Sequence, residues 1–199
     1  MNKLLGTEAR RPPENLTAEA DRKSPDSEGK TGRVLDLLLI LTLSLIFMFG
    51  VVRPFVAEVF RIPSESMAPT LEAGDRVLVN KFVYRFTEPE RGDLVLFEEP
   101  VNEGPLAIKR VVGLPGDKVA VWDGVLFVNG ERREEFYVDY QTADSTFFGP
   151  ERVPEDHMLV MGDNRANSLD SRSFGAVPDE DVLGKVSLRL WPLGRTGAL

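Results

Sequence analysis

Residues 62–71 read IPSESMAPTL, with Ser64 and Ser66 two positions apart and flanked by Pro63 and Pro69. In a strand that spacing puts both hydroxyls on one face, and the prolines restrict the backbone around them. A serine becomes a nucleophile when a neighbouring base takes its proton. The chain has no cysteine and one histidine, His157. Thiolate chemistry is therefore excluded, and of the metal sites only a carboxylate-rich one for a hard cation stays open. The base is then either His157, in VPEDHMLVMG, or a lysine. Lys109, in PLAIKRVVGLPGD, is flanked by Ala107, Ile108, Val111 and Val112. Burial among such neighbours disfavours the ammonium, and bringing a lysine from about 10.4 to about 8 takes roughly 3 kcal/mol. The ordinary readings are a surface histidine, and a strand lysine that snorkels or pairs with Asp93 or Asp117. Residue types alone leave the choice open. A third stretch, MGDNRANSLDSRSFG at 161–175, sets Asp163, Arg165, Asp170 and Arg172 directly after the apolar MLV. It is either a solvated loop or a buried network, which charges form only when paired and hydrogen-bonded.

Something must hold these residues in place. Residues 34–52, VLDLLLILTLSLIFMFGVV, contain a charge-free run of 16 residues, Leu37–Val52. About 20 apolar residues span a bilayer core, so the segment predicts a transmembrane helix with Asp36 at one end. No small-x-small cleavage site follows, which predicts an uncleaved anchor. Residues 14–33 hold four basic residues (Arg22, Lys23, Lys30, Arg33), and residues 53–72 hold two (Arg53, Arg61). That bias predicts a cytoplasmic N-terminus and an extracytoplasmic domain. Residues 1–33 are polar and poor in apolar side chains, which predicts a disordered tail.

Residues 53–199 read as mainly β. Short apolar or alternating runs (DRVLVNKFVY, GDLVLFEEP, LAIKRVVG, HMLVMGDN, GKVSLRLWPL) are punctuated by Gly, Pro and Asn-Gly. Asp123-Gly124, between KVAVW and VLFVNG, predicts a hairpin. The stretch 131–156 is polar and irregular and reads as a small insertion. Phe55, Val56 and Phe60 either dip into the outer leaflet or line a substrate cleft. The net charge is −8, which argues against nucleic acid as a partner.

PSESMAPTL, IKRVVGLPGD and GDNRANSLDSR occur in this order, with RGDLVLF at 91–97 and an anchor before them. Over about residues 35–195 the chain resembles bacterial type I signal peptidases, membrane-bound serine proteases with a Ser-Lys dyad. The resemblance implies an antiparallel β-sheet or barrel domain behind a transmembrane helix. It implies Ser66 as nucleophile, Lys109 as general base and Ser64 as an oxyanion-hole hydroxyl beside the Ser66 N–H. Ser168 matches the hydroxyl that orients the lysine, and Asp163, Asp170 and Arg172 match positions that hold the last motif in shape. Phe60, Ile62, Met67, Val77, Leu96 and Ile108 match pocket-lining positions for small residues at −1 and −3 of the substrate. The implied partners are preproteins with cleavable signal peptides, membrane lipid and the export machinery, at the cytoplasmic membrane, with no cofactor or metal. The chain departs from the family pattern at Ala166, where many relatives carry Asp. It also has a single membrane segment and a short stretch between Lys118 and His157. Self-cleaving SOS repressors share the dyad on a related fold, but they need a DNA-binding domain. A catalytically silent, membrane-anchored β-domain that binds exported chains is the alternative of another class.

Overall fold

A computed structural model describes residues 26–52, 57–100, 106–140 and 145–199. The chain divides into two compact units, Met1–Leu45 and Ile46–Leu199. The first contains most of the helix α1 (Asp26–Phe47), which continues as a π-helical turn, Met48–Val52. Gly32–Gly50 is a span of 19 residues with mean hydropathy 2.1, none of it buried. At 1.5 Å per residue it is about 28 Å long, close to the hydrocarbon thickness of a bilayer. A helix this apolar and unburied calls for an apolar solvent.

The helix begins at Asp26 rather than Val34, so the expected tail is helical over 26–33. Once a helix is nucleated, each further residue adds a hydrogen bond at little cost. Residues 1–25 lie outside the described residues, as do Phe55 and Val56.

The second unit is built from antiparallel strands. They are β1 (Ala57–Arg61), β2 (Arg76–Asn80), β3 (Leu94–Glu98), β4 (Leu106–Gly113), β5 (Lys118–Trp122), β6 (Val125–Val128), β7 (Glu131–Arg132), β8 (Phe148–Arg152), β9 (His157–Met161), β10 (Val177–Pro178), β11 (Val182–Trp191) and β12 (Gly197–Ala198). The larger sheet runs β1-β2-β11-β3-β4-β9-β10, with β12 beside β11, and the smaller runs β7-β6-β5-β8. The fold is thus mainly antiparallel β, as its alternating runs predict. Asp123 and Gly124 have φ of 50° and 74°. These left-handed values let a two-residue turn join β5 to β6.

The stretch 131–156 is part of the fold: it supplies β7 and β8, the two edges of the smaller sheet. The loop between those strands buries Glu135 and Val138.

Two features of the larger sheet position the site. Leu94, Val95, Leu96 and Phe97 of β3 are all buried, as suits a central strand covered on both faces. β4 pairs with it so that Lys109 lies opposite Val95 and Arg110 opposite Leu94. Successive strand residues point to opposite faces, so these two cations serve different surroundings. An apolar cluster of Ile62, Met67, Leu71, Val77, Val79, Leu94, Leu96 and Val186 ties β2, β3 and β11 to the segment after β1.

Candidate active site

Ser64 and Ser66 lie in a run of turns after β1, not in a strand. Pro63 and Pro69 have no N–H to give a sheet ladder, so the chain leaves the sheet between them. The Ala68 N–H bonds to Glu65 O at 3.0 Å and the Leu71 N–H to Met67 O at 2.8 Å. The buried Met67 and Leu71 peg the turn into the core. The two hydroxyls still converge, with Ser64 Oγ 3.3 Å from Ser66 Oγ.

Lys109 reaches the same point from β4. Its Nζ is hydrogen-bonded to Ser66 Oγ at 2.8 Å, and the residue is 5% exposed. Burial lowers the lysine below its usual range, and Arg172 acts in the same direction. The Asp170, Glu99 and Asp163 carboxylates oppose this without cancelling it. Held this way, the amine lies against a serine hydroxyl with its charged form disfavoured.

Residues 162–172 form the back wall. The Asn164 N–H donates to Ser66 O, and Asn164 Nδ2 donates to Glu65 O, each at 3.1 Å. Gly162 lies against the same carbonyl, where a Cβ would stand 2.5 Å from Ser66 O and 2.2 Å from Ser168 Oγ.

The charges of this loop form a buried, paired network. Asp163 accepts from Arg110 Nε at 2.9 Å, Arg110 Nη2 at 2.7 Å and Thr70 Oγ1 at 2.5 Å. Asp170 accepts from Arg172 Nε and Nη2, both at 2.9 Å, and from the Gly162 N–H at 3.0 Å. It also caps the short helix α2 (Ser171–Phe174) by accepting the Arg172 N–H. Burial alone would raise the Asp170 carboxyl, but the Arg172 hydrogen bonds and charge and the Gly162 N–H hold it below the usual carboxylate range. Arg172 Nη2 also donates to Arg165 O at 2.8 Å. Arg165 Nε donates to Gly162 O at 3.0 Å, and its guanidinium pairs with Glu135 from the smaller sheet.

A cleft of about 530 Å³ opens on Ser64, Ser66 and Lys109. Phe60, Ile62, Met67, Leu96 and Ile108 line it, together with Glu65, Glu99, Ala107, Asn167 and Leu169. Val77 does not. It sits opposite Phe60 on β2 and is 0% exposed within the apolar cluster, leaving the lining to its partner. Ser168 Oγ is buried against Gly162, near enough to Asp170 to help hold that carboxyl down, and does not hydrogen-bond Lys109. Ala166 is exposed. His157 lies at the start of β9, bonded through Nδ1 to Glu155 O at 2.8 Å, and is not among the cleft residues.

Sequence reasoning missed Arg110, Asn164, Gly162 and Glu135. Arg110 carried a signal: it follows Lys109 in a strand, so it must serve the opposite face. A glycine directly after the buried MLVM was a second signal. Nothing local marks Glu135 as the partner of Arg165.

Residues 34–191 match the family described as signal peptidase, peptidase S26. The chain is 41% identical over 191 residues to a probable signal peptidase I-2 of Synechocystis sp., covering 94% of this chain and 85% of the relative. It is 45% identical over 168 residues to a signal peptidase I of Leptolyngbya laminosa, covering 79% of each. It is 35% identical over 175 residues to a signal peptidase IB of Staphylococcus aureus, covering 80% of this chain and 90% of the relative.

Proposed function

The chain belongs to the signal peptidase family, peptidase S26, and from that premise we propose that it cleaves signal peptides with Ser66 as nucleophile and Lys109 as general base. A peptidase of this family hydrolyses signal peptides from the preproteins that carry them. The observation that supports the dyad is the 2.8 Å contact between a buried Lys109 and Ser66 Oγ.

Neutral Lys109 takes the Ser66 proton as Oγ attacks the scissile carbonyl carbon. The Ser64 hydroxyl and the Ser66 N–H, which makes no backbone hydrogen bond among the described residues, receive the oxyanion. Each such donor is typically worth about 10²–10³ in rate. Collapse of the tetrahedral intermediate breaks the C–N bond. The departing amine of the mature chain takes the proton from the Lys109 ammonium, leaving the signal peptide acylated on Ser66. Water, deprotonated by Lys109, then attacks the acyl carbon. Its collapse returns the proton to Ser66 and frees the signal peptide as a carboxylic acid that ionises.

Substrate preference follows from the apolar walls. Phe60, Ile62, Met67, Leu96 and Ile108 leave room for small side chains at −1 and −3. The α1 span anchors the enzyme in the cytoplasmic membrane with its N-terminus inside and the β unit outside, where export machinery delivers preproteins. Membrane lipid surrounds the span. The pairs of Asp163 with Arg110 and of Asp170 with Arg172 hold the loop behind the dyad.

The test is cleavage of a preprotein whose signal ends in Ala-x-Ala, by the full chain in detergent, from about pH 6 to 10. Wild type should cut after the second alanine, with activity rising through an apparent pKa below that of free lysine. Ser66→Ala and Lys109→Ala should both be inactive. Substantial activity in Lys109→Ala would refute the assignment of the base and turn attention to His157.

A further inference from the structure

Three charged side chains besides Lys109 line the cleft: Arg61, Glu65 and Glu99. None of them makes a hydrogen bond or ion pair among the described residues. Arg61 and Glu65 are exposed, and water solvates them. Glu99 is half-buried where the chain leaves β3, and it lines the cleft together with the apolar Leu96, Leu106 and Ala107.

The carboxylates around Lys109 differ from one another in a telling way. Asp163 is neutralised by Arg110, and Asp170 by Arg172. Among the described carboxylates whose charge reaches the lysine, Glu99 alone has no cation of its own. A polypeptide filling the cleft would strip water from Glu99, and a carboxylate losing water needs a partner. With Lys109 neutral, Glu65 and Glu99 against Arg61 leave the cleft one negative charge in excess. The missing cation would have to arrive with the substrate.

We propose that Glu99 is a specificity-determining residue that selects substrates carrying a Lys or Arg side chain close to the scissile bond. The proposal rests on the Ser66–Lys109 reading. It also links specificity to catalysis, because a substrate cation on Glu99 cancels the one unpaired negative charge that favours protonated Lys109. The other groups facing the lysine, Asp163, Asp170 and Arg172, are already paired with one another or with Arg110 and are unaffected.

The experiment uses the full chain in detergent and a peptide series ending its signal in Ala-x-Ala. A single Lys or, as its control, Gln is stepped through the positions on either side of the cleavage site. In wild type, Lys at one position or two neighbouring positions should raise kcat/KM about threefold to tenfold over Gln, the size of a partly screened charge pair. The advantage should shrink with salt. Glu99→Gln should bring the Lys-to-Gln ratio to about one, and Glu99→Lys should turn it into a preference for Glu at the same position. On an uncharged peptide, Glu99→Gln should move the rise of kcat/KM with pH to lower pH, since less negative charge holds the proton on Lys109. A Lys advantage that survives Glu99→Gln, no positional advantage in wild type, or inactivity of Glu99→Gln on every peptide would each overturn the proposal. Cleavage of the Gln peptides by wild type, abolished in Ser66→Ala, would leave the dyad reading standing in all three cases. Failure of wild type on every peptide would remove the dyad reading itself.

Discussion

Gly162→Ala should disable the enzyme while leaving it folded. At this position φ lies outside the left-handed range that L residues avoid, so alanine is acceptable to the backbone itself. Space is the obstacle. The new Cβ would stand 2.2 Å from Ser168 Oγ and 2.5 Å from Ser66 O, whereas real Cβ atoms essentially never approach within 3.0 Å. Ser168 Oγ is the end of a side chain and can rotate away. Ser66 O is backbone and must retreat by at least half an ångström, the difference between 3.0 and 2.5 Å. That retreat also stretches the 3.1 Å bond from the Asn164 N–H. The peptide that moves is Ser66's own, so Oγ of the proposed nucleophile shifts against Lys109 and the Ser64 hydroxyl. Misplacement on the order of 1 Å costs about 10²-fold in rate, whereas overpacking costs about 1–3 kcal/mol of stability. The control is Gly113→Ala, whose Cβ would meet Val119 at 2.7 Å and Val153 at 3.0 Å, in the apolar cluster of the smaller sheet. The assay sets kcat on an Ala-x-Ala preprotein against thermal midpoint for both variants. Gly162→Ala should lose far more activity than Gly113→Ala at equal loss of stability. If the two fall on one line, or if Gly162→Ala keeps kcat within a few-fold of wild type, close packing behind Ser66 does not set the geometry.

Lys109→Met should abolish cleavage and raise the thermal midpoint at neutral pH. The folded state holds this lysine below its ordinary value by burial, so between that lowered value and about 10.4 the unfolded chain binds more protons and stability rises with pH. The stability gained by Lys109→Met should therefore narrow as pH approaches about 10, and melting curves across that range check it. Glu135→Leu should destabilise the chain by about 3–5 kcal/mol, because it strands the buried Arg165 charge. Adding Arg165→Met should recover much of that loss, and chemical denaturation of the single and double variants measures the coupling.

The sheet was legible because it obeys local rules. Alternation marked β5 and β6, a continuous apolar run marked the buried β3, and Asp123-Gly124 fixed the register of one hairpin. The meeting of Ser66 and Lys109 was legible only as a resemblance, since two residues 43 positions apart carry no local sign that they touch. The same-face argument for Ser64 and Ser66 reached the right neighbourhood through the wrong element. The prolines that seemed to stiffen a strand end it, and a turn brings the hydroxyls together. Val77 was carried over through the resemblance as a pocket position and lies in the core instead, because matching a motif position does not say whether an inward-pointing residue faces cleft or core. Glu135 was illegible for a plainer reason: its partner lies 30 residues away in sequence, on a loop belonging to the other sheet.

Under the proposed dyad, the pairing of charges is what lets a lysine act as a base. Carboxylates close to an amine favour its charged form, and burial opposes them. Asp163 and Asp170 are required to hold the loop behind Ser66, yet unpaired they would keep Lys109 protonated. Arg110 and Arg172 resolve the conflict by fixing each carboxylate in place and cancelling most of its field. Under the same proposal the salt bridges are parts of the catalytic electrostatics as well as of the scaffold. Replacing Arg172 by an uncharged residue should therefore move the activity of Lys109 to higher pH, in addition to loosening the loop. A loss of activity uniform across pH would assign Arg172 a purely mechanical role.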